Sequence, residues 1–179
     1  MKINLNSGHA LLGAQCLIFC GLVSIPCGCR RFPEGQLRFY ALPEEAKVSF
    51  ESGDYVKARK DAIELQSVMK DYKTDWNYGN AVHDSNMVLG RLALRRNEVE
   101  EAGDYLLAAG DTPGSPQINS FGPNMSLAND MLKLHQRVVV LKYFEECGEF
   151  CDHRISGLDR WTSDVKAGKT PDFGANLGY

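Results

Sequence analysis

The chain has 179 residues, the length of one ordinary domain, and 44% of them are apolar. Its 20 basic and 23 acidic residues leave a formal net charge of -3. This composition excludes a disordered or collagen-like chain. The chain also lacks the excess positive charge that favours binding to phosphate backbones, so we predict no nucleic-acid partner.

The N-terminal segment, residues 1–29, has the composition of an export signal. It contains no acidic residue, a single lysine, and an apolar run over residues 10–25 that is followed by Arg30 and Arg31. The 16 residues of this run are fewer than the roughly 20 of a spanning helix and slightly more than the roughly 7–15 of a signal's apolar region. We therefore predict that residues 1–29 are a signal peptide or membrane anchor and that the chain is exported, to the periplasm or to a membrane. An anchor that is not cleaved and a buried N-terminal helix are the alternatives.

Gly28 and Cys29 are similar to the end of a bacterial lipoprotein signal, where a small residue precedes the cysteine that becomes lipidated. Pro26 and Cys27 depart from that pattern, which usually has a leucine and a small residue there. The resemblance implies that Cys29 is a lipidation site and that the chain is tethered to a membrane through its N-terminus. Several acyl chains would hold the domain firmly, whereas a single chain anchors weakly.

Cys147 and Cys151 are the two cysteines that lie outside this N-terminal segment. They are four residues apart in a predicted helix, a spacing that suits a disulfide poorly. With Val140 and Phe144 they continue an apolar stripe of helical spacing. We therefore predict two buried, free thiols and no metal site, because four convergent ligands at a standard spacing are absent.

From Pro43 onward the sequence pattern is helical. Pro43 suits the first position of a helix, and Gly53 followed by Asp54 predicts a helix stop and a new N-cap. After this stop we predict helices over residues 55–72, 78–95, 98–109, 125–135, 138–150 and 155–168. Residues 111–124 are predicted as a long loop because Pro and Gly recur there, and the apolar, Gly-rich residues 171–179 as an extended strap or a loose tail.

The predicted helices form hairpins that share a spacing of turn and small residues. A turn residue is followed two residues later by a hydrophobe and five residues later by an alanine: Gly53, Tyr55 and Ala58 in the first hairpin, and Asn97, Val99 and Ala102 in the second. This pattern resembles the tetratricopeptide repeat (TPR), in which small residues let two antiparallel helices approach closely. Leu89 and Gly90 match the family's close helix crossing, and Leu127 and Ala128 match it in a third hairpin.

The resemblance covers residues 41–151 and implies an all-α fold of about three antiparallel helix hairpins, stacked as a short right-handed solenoid. We predict a linker over residues 30–42, a repeat domain over 43–151, and a capping helix and tail over 152–179. The matching turn residues Gly53 and Asn97 are 44 residues apart, whereas the family repeats about every 34 residues. The hairpins therefore carry insertions, and a plain helical bundle is the alternative.

The sequence contains no P-loop, dinucleotide fingerprint, zinc-protease helix or nucleophile elbow, so we predict a protein that is not an enzyme and binds no cofactor. The TPR resemblance implies that the first helix of each pair lines a concave groove for a peptide or protein segment. The groove positions are Lys47, Phe50, Asp84, Met87, Arg91, Arg95, Met125, Asn129 and Lys133. Arg91 and Arg95 are one turn apart and are predicted to bind a carboxylate together, unless they are ordinary surface charges.

These observations predict a non-catalytic interaction or scaffold module of the cell envelope. A rival prediction is a small-molecule-binding or enzymatic protein whose pocket is built from three loops rich in aromatic residues and asparagine, over residues 75–78, 120–124 and 172–176. Such loops equally suit the ends of a short solenoid. A third prediction is a structural lipoprotein that oligomerises through its apolar tail.

Overall fold

The computed structural model describes residues 33–151 and 157–178, which form eight α-helices and no strand. The helices are α1 Glu34–Glu51, α2 Tyr55–Val68, α3 Tyr78–Arg95, α4 Val99–Gly110, α5 Pro116–Phe121, α6 Ser126–Lys133, α7 Arg137–Gly148 and α8 Leu158–Lys166. Short 3-10 turns follow α2 at Met69–Tyr72 and α8 at Gly174–Leu177. The predicted all-α class is confirmed. The predicted signal segment and Cys29 lie outside the described residues, within which no helix is long and apolar enough to cross a membrane.

Helix α1 begins earlier than predicted. It starts at Glu34 and contains Pro43 in its interior, so residues 34–42, which the sequence assigns to a linker, are helical. Proline is disfavoured there because it has no N–H to donate to the preceding turn. Phe39 and Leu42 are both fully buried, however, and their packing supports the helix on the N-terminal side of the proline.

Helix α5 lies where the sequence predicts a loop. It begins where the Ser115 hydroxyl accepts a hydrogen bond from the Ile118 amide at 3.1 Å, with Pro116 at the first helical position. Both features are ordinary signals of a helix start. Ile118 is buried and ties this short helix to the core. The sequence predicts a loop here because Pro and Gly recur on both sides of these helix-start residues.

The turns between paired helices lie where the sequence predicts them. Gly53 has a φ of +85° between α1 and α2, and Asn97 has a φ of +61° between α3 and α4. Both residue types tolerate the left-handed region that a tight turn requires. The connections of about three residues make α1 and α2, and likewise α3 and α4, into hairpins.

The hairpins pack in chain order around α3. This helix contacts α1, α2, α4, α5 and α6, while α7 contacts α4, α6 and α8. Gly90 of α3 allows a close approach, because a Cβ atom there would lie 2.3 Å from the Leu127 side chain of α6 and 3.1 Å from Cβ of Tyr105 of α4. The predicted close crossing at Gly90 therefore brings three helices together.

Cys147 and Cys151 are buried and free, as predicted. Burial raises the pKa of the Cys151 thiol to about 12, and it raises the pKa of Cys147 well above its ordinary value. Both sulfur atoms therefore stay protonated at neutral pH. A protonated, buried thiol is a poor nucleophile, so the pair has a packing role.

The chain's last described residues pack against α7 and α8. Phe173 is buried, with its ring centroid 5.2 Å from that of Trp161 and 6.2 Å from that of Phe144. The Trp161 indole N–H donates to the Asp172 carbonyl at 3.0 Å. The tail is therefore a packed strap in which Phe173 completes an aromatic cluster.

The Phe173→Ala substitution should lower the free energy of unfolding by about 3–5 kcal/mol, because it leaves a cavity beside the Trp161 and Phe144 rings. Phe121→Ala is the matched control, since that ring is 75% exposed and should change stability by less than about 0.5 kcal/mol. Guanidinium titrations of both variants measure the difference. Equal stabilities would show that the strap does not contribute to the core.

The carboxyl group of Glu146 in α7 lies in an environment that disfavours its charged form. Its Oε2 atom is buried without a hydrogen bond in the described part of the chain. It faces α4, where a Cβ atom added to Gly110 would lie 2.7 Å from it. Burial raises the pKa of Glu146, while Lys142 partly opposes that shift.

The raised pKa of Glu146 predicts a pH dependence. The native state holds this proton more tightly than the unfolded chain, so the associated stability is present below the ordinary glutamate pKa and is lost as pH rises through the raised pKa. Glu146→Gln should therefore gain stability relative to the native chain between about pH 4 and pH 7. The exposed neighbour Glu145→Gln is the control. Thermal melts across this range that show a constant difference for Glu146→Gln would contradict the assignment.

Candidate functional site

Five of the predicted groove residues meet in one pocket between α1 and α3: Lys47, Phe50, Asp84, Met87 and Arg91. The cavity volume is about 30 Å³, which is room for one or two water molecules. The pocket is therefore too small to receive a side chain of a partner.

Two neighbouring segments close this pocket. Asn124 and Ser126, at the start of α6, form one side of it, and Leu177 and Gly178 of the tail form another. The Met125 amide donates to the Asn176 carbonyl at 2.7 Å and so fixes the tail to the start of α6. The chain's own tail thus lines the small pocket in which these predicted groove positions meet.

The charges in the pocket are paired with one another. The Lys47 ammonium lies 3.6 Å from Oδ2 of Asp84 and 3.3 Å from Oε2 of Glu44. Asp84 Oδ1 is in turn 3.3 Å from Nδ1 of His83. These contacts compensate Lys47 within the chain, so we infer a structural role for it.

His83 lies beneath this pocket and is fully buried. Its Nε2 atom is 3.2 Å from the Tyr143 hydroxyl, which donates to the Asn124 carbonyl at 2.9 Å. Both ring nitrogens of His83 therefore face partners inside the protein, and the ring does not line the pocket. This geometry favours a structural histidine that joins α3 to α7, rather than a general base.

The open part of the predicted groove is a cleft of about 640 Å³ between α1, α3 and α6. We call it the groove, and its lining residues are Phe50, Glu51, Tyr55, Arg91, Leu94, Arg95, Asp130, Lys133, Leu134 and Leu177. Four predicted residues line it, namely Phe50, Arg91, Arg95 and Lys133.

Two predicted positions do not line either cavity. Met125 is fully buried in the core, immediately before the first residue of α6. Asn129 is half-buried on α6 but is absent from the lining of both the pocket and the groove. The groove positions assigned to the third hairpin by resemblance thus match the structure only at Lys133.

Arg91 and Arg95 project together but have different partners. The Arg91 guanidinium lies 4.4 Å from the centroid of the Phe50 ring, and its Nε is 3.6 Å from Oδ2 of Asp130. The Arg95 guanidinium stacks at 3.8 Å on the Tyr55 ring and has no carboxylate within 4.0 Å among the described residues. Within the described residues, Arg91 thus has both a ring and a carboxylate as partners, whereas Arg95 has the Tyr55 ring alone.

The groove combines charge with exposed apolar surface. Leu134 is 45% exposed and Leu177 is 42% exposed, and both line the groove with the cationic residues. The ammonium of Lys133 is 2.7 Å from Oδ1 of Asp130, so this aspartate pairs with both Lys133 and Arg91. A ligand of the groove would contact leucine side chains and the guanidinium of Arg95.

A second cleft lies on the other side of Arg95, between α2 and the end of α3, with a volume of about 670 Å³. We call it the basic cleft, and its lining residues are Tyr55, Val56, Arg59, Lys60, Ile63, Leu92, Arg95 and Arg96. This cleft was not among the predicted sites, because the TPR resemblance implies a groove on the first helix of each hairpin and α2 is a second helix. The sequence does indicate a mixed apolar and basic face on α2, because Val56, Lys60 and Ile63 are spaced by four and then three residues.

The three loops of the rival prediction do not form one pocket. Residues 120–124 and 172–176 meet, since the Asn176 side-chain amide donates to the Phe121 carbonyl at 3.0 Å. Residues 75–78 instead line a separate cleft with residues 113–116. Two of the three loops therefore share a cavity of about 320 Å³, which Phe121, Gly122, Ala175 and Asn176 line, and the third loop lies apart from it.

No protein-family model, curated protein or solved structure matches this chain. The described residues also contain no group of three or more His, Cys, Asp or Glu side chains that could hold a metal ion. The geometry of the pocket and the clefts is therefore the basis for assigning a function.

The Tyr143→Phe substitution tests the buried connection beneath the pocket. It should lower the free energy of unfolding by about 1–3 kcal/mol, because the Asn124 carbonyl and His83 Nε2 lose a buried partner. Tyr78→Phe is the control, since the Tyr78 hydroxyl makes no hydrogen bond within the described residues. If urea titrations gave the same midpoint for both variants, the buried hydroxyl would not hold α3 to α7.

Proposed function

We propose that this chain is a non-catalytic interaction module that binds a segment of another protein in the groove. Its architecture is a short TPR-like solenoid of about three helix hairpins. The groove then lies on the side formed by the first helix of each hairpin, namely α1, α3 and α6.

The order of helix contacts supports the solenoid. The first helices contact each other in sequence, α1 with α3 and α3 with α6, and the second helices α4 and α7 also contact each other. Repeat proteins stack in this way, because each unit buries its apolar face against its neighbour. Helix α8 and the strap cover α7 and would serve as the terminal cap.

The observation that carries the proposed activity is the composition of the groove. It places two partly exposed leucines beside an aromatic ring and an arginine without an ion-pair partner in the described residues. Aromatic and arginine side chains are the most common energetic centres of protein interfaces. An open cleft of about 640 Å³ can receive several side chains of one segment.

The proposed location is the cell envelope, with the chain exported and tethered through Cys29. The absence of acidic side chains over residues 1–29 and the Gly28–Cys29 pair support this proposal.

Site-specific photocrosslinking in the native host tests the groove. A benzophenone amino acid is placed at Glu51 or Leu134, which line the groove, and at Ser163 or Lys166, which are exposed on α8. We expect one defined protein adduct from the groove positions and none from α8, because only the groove contacts the partner segment.

The Leu134→Asp substitution should then reduce the adduct formed at Glu51, since it places a charge in the apolar part of the groove. Ser163→Asp is the control for added charge on the surface. Identical adducts from all four positions, or an adduct that Leu134→Asp leaves unchanged, would overturn the proposed function.

A further inference from the structure

The basic cleft is a concentration of positive charge in a chain of net negative charge. Four cationic side chains line it, namely Arg59, Lys60, Arg95 and Arg96, and none of the described acidic side chains does. The formal charge of the whole chain is -3. Charges of one sign in a concave site raise the local concentration of ligands of the opposite sign.

The ion pairs of the basic cleft involve only one of these four cations in the part of the chain that the structure describes. Arg96 is held by Glu98 at 2.5 Å and by Glu101 at 3.3 Å, and the contact with Glu98 raises its pKa. Arg59, Lys60 and Arg95 have no carboxylate within 4.0 Å among the described residues. Arg59 and Lys60 lie near enough to Glu98 and Glu64 to lower the pKa of those carboxyl groups, but neither cation forms a direct ion pair with them, so their N–H groups can meet carboxylates of a partner.

Apolar side chains lie among the free cations. Val56 is 84% exposed and Ile63 is 42% exposed, and Leu92 lines the cleft from α3. Val56 and Ile63 are seven residues apart on one face of α2, so they are separated by about 10.5 Å along the helix axis. This spacing matches two apolar side chains that are two turns apart on a partner helix.

The concave shape favours an inserted segment over a flat surface. The cleft has a volume of about 670 Å³, between walls formed by α2 and by the last turns of α3. A helix can place one apolar row into such a cleft and direct acidic side chains to both walls. A bilayer surface would reach the rim of a concavity more readily than its wall.

We propose that the basic cleft is a second docking site, which binds an acidic amphipathic helical segment of another protein. Carboxylates of the segment pair with Arg59, Lys60 and Arg95, while its apolar row packs on Val56 and Ile63. This site lies outside the groove on the first helices and shares only Tyr55 and Arg95 with it.

The test uses the purified full-length chain and a fluorescein-labelled synthetic peptide long enough to form several helical turns. The peptide carries leucines at a spacing of three and four residues, flanked by glutamates. A second peptide has lysine in place of each glutamate, and a third has serine in place of each leucine. Fluorescence anisotropy gives the affinity for each, and we expect binding of the first peptide only.

The double variant Arg59→Glu, Lys60→Glu should bind the acidic peptide about tenfold or more weakly, because two attractions become repulsions. The matched control is Lys166→Glu, Lys169→Glu, which makes the same change in net charge at exposed sites on and just after α8 and should bind as the native chain does. Val56→Ser, Ile63→Ser should also weaken binding, since it removes the apolar contacts. Circular dichroism melts of each variant show whether its fold is retained.

Four outcomes would overturn the proposal. One is equal affinity of the two charge-reversed double variants for the acidic peptide, and another is equal binding of the lysine peptide. A third is binding to phosphatidylglycerol vesicles that Arg59→Glu, Lys60→Glu abolishes, without binding to the peptide, which would identify a lipid surface. The fourth is a dimer in sedimentation that this variant dissociates, which would identify a second copy of the chain.

The groove is tested independently of this site. Leu134→Asp lies in the groove and outside the basic cleft, so it should leave peptide affinity unchanged while it reduces the photocrosslinked adduct. Failure of one site would therefore leave the result for the other intact.

Discussion

The fold depends on the burial of α3. All residues from 79 to 90 of this helix are buried, and five of them carry polar side chains: Asn80, His83, Asp84, Ser85 and Asn86. A buried polar group without a partner is costly, so each of these must find a hydrogen bond. Asn80 bonds to Ser115, His83 contacts Tyr143, and Asn86 accepts from Gln66 and donates to the Ala108 carbonyl.

These bonds connect α3 to surrounding segments as well as satisfying its own polar atoms. Asn86 joins α3 to α2 and α4, whereas His83 and Asn80 join it to α7 and to the start of α5. Directional bonds of this kind fix the rotation of a helix about its axis more strictly than apolar packing does. The same rotation carries Arg91 and Arg95 to the surface at the far end of α3, and so determines where both clefts lie.

Two aromatic residues beside the first hairpin turn each stack on one arginine of α3. Phe50 holds Arg91 over its ring, and Tyr55 holds Arg95. Stacking of a guanidinium on a ring leaves its edge free for a carboxylate. The edge of the Arg91 guanidinium faces Asp130. The edge of the Arg95 guanidinium has no carboxylate partner in the described residues, and Arg95 lines both the groove and the basic cleft. Leu177 and Gly178 of the tail line the small pocket beside the groove, while the two larger clefts lie near the hairpin turns.

The sequence by itself determined the helical class, the turns at Gly53 and Asn97, the limits of α3 over residues 78–95, and the burial of Cys147 and Cys151. These features follow from periodicity and turn chemistry within a few neighbouring residues, and such signals are present in a single sequence. The tertiary structure alone decided that Arg91 pairs with Asp130 while Arg95 has no such partner among the described residues. It also decided that the tail lines the small pocket beside the groove and that α2 and α3 enclose a basic cleft. Each of these depends on the packing of helices far apart in the chain, and distances between their side chains are not encoded by local spacing.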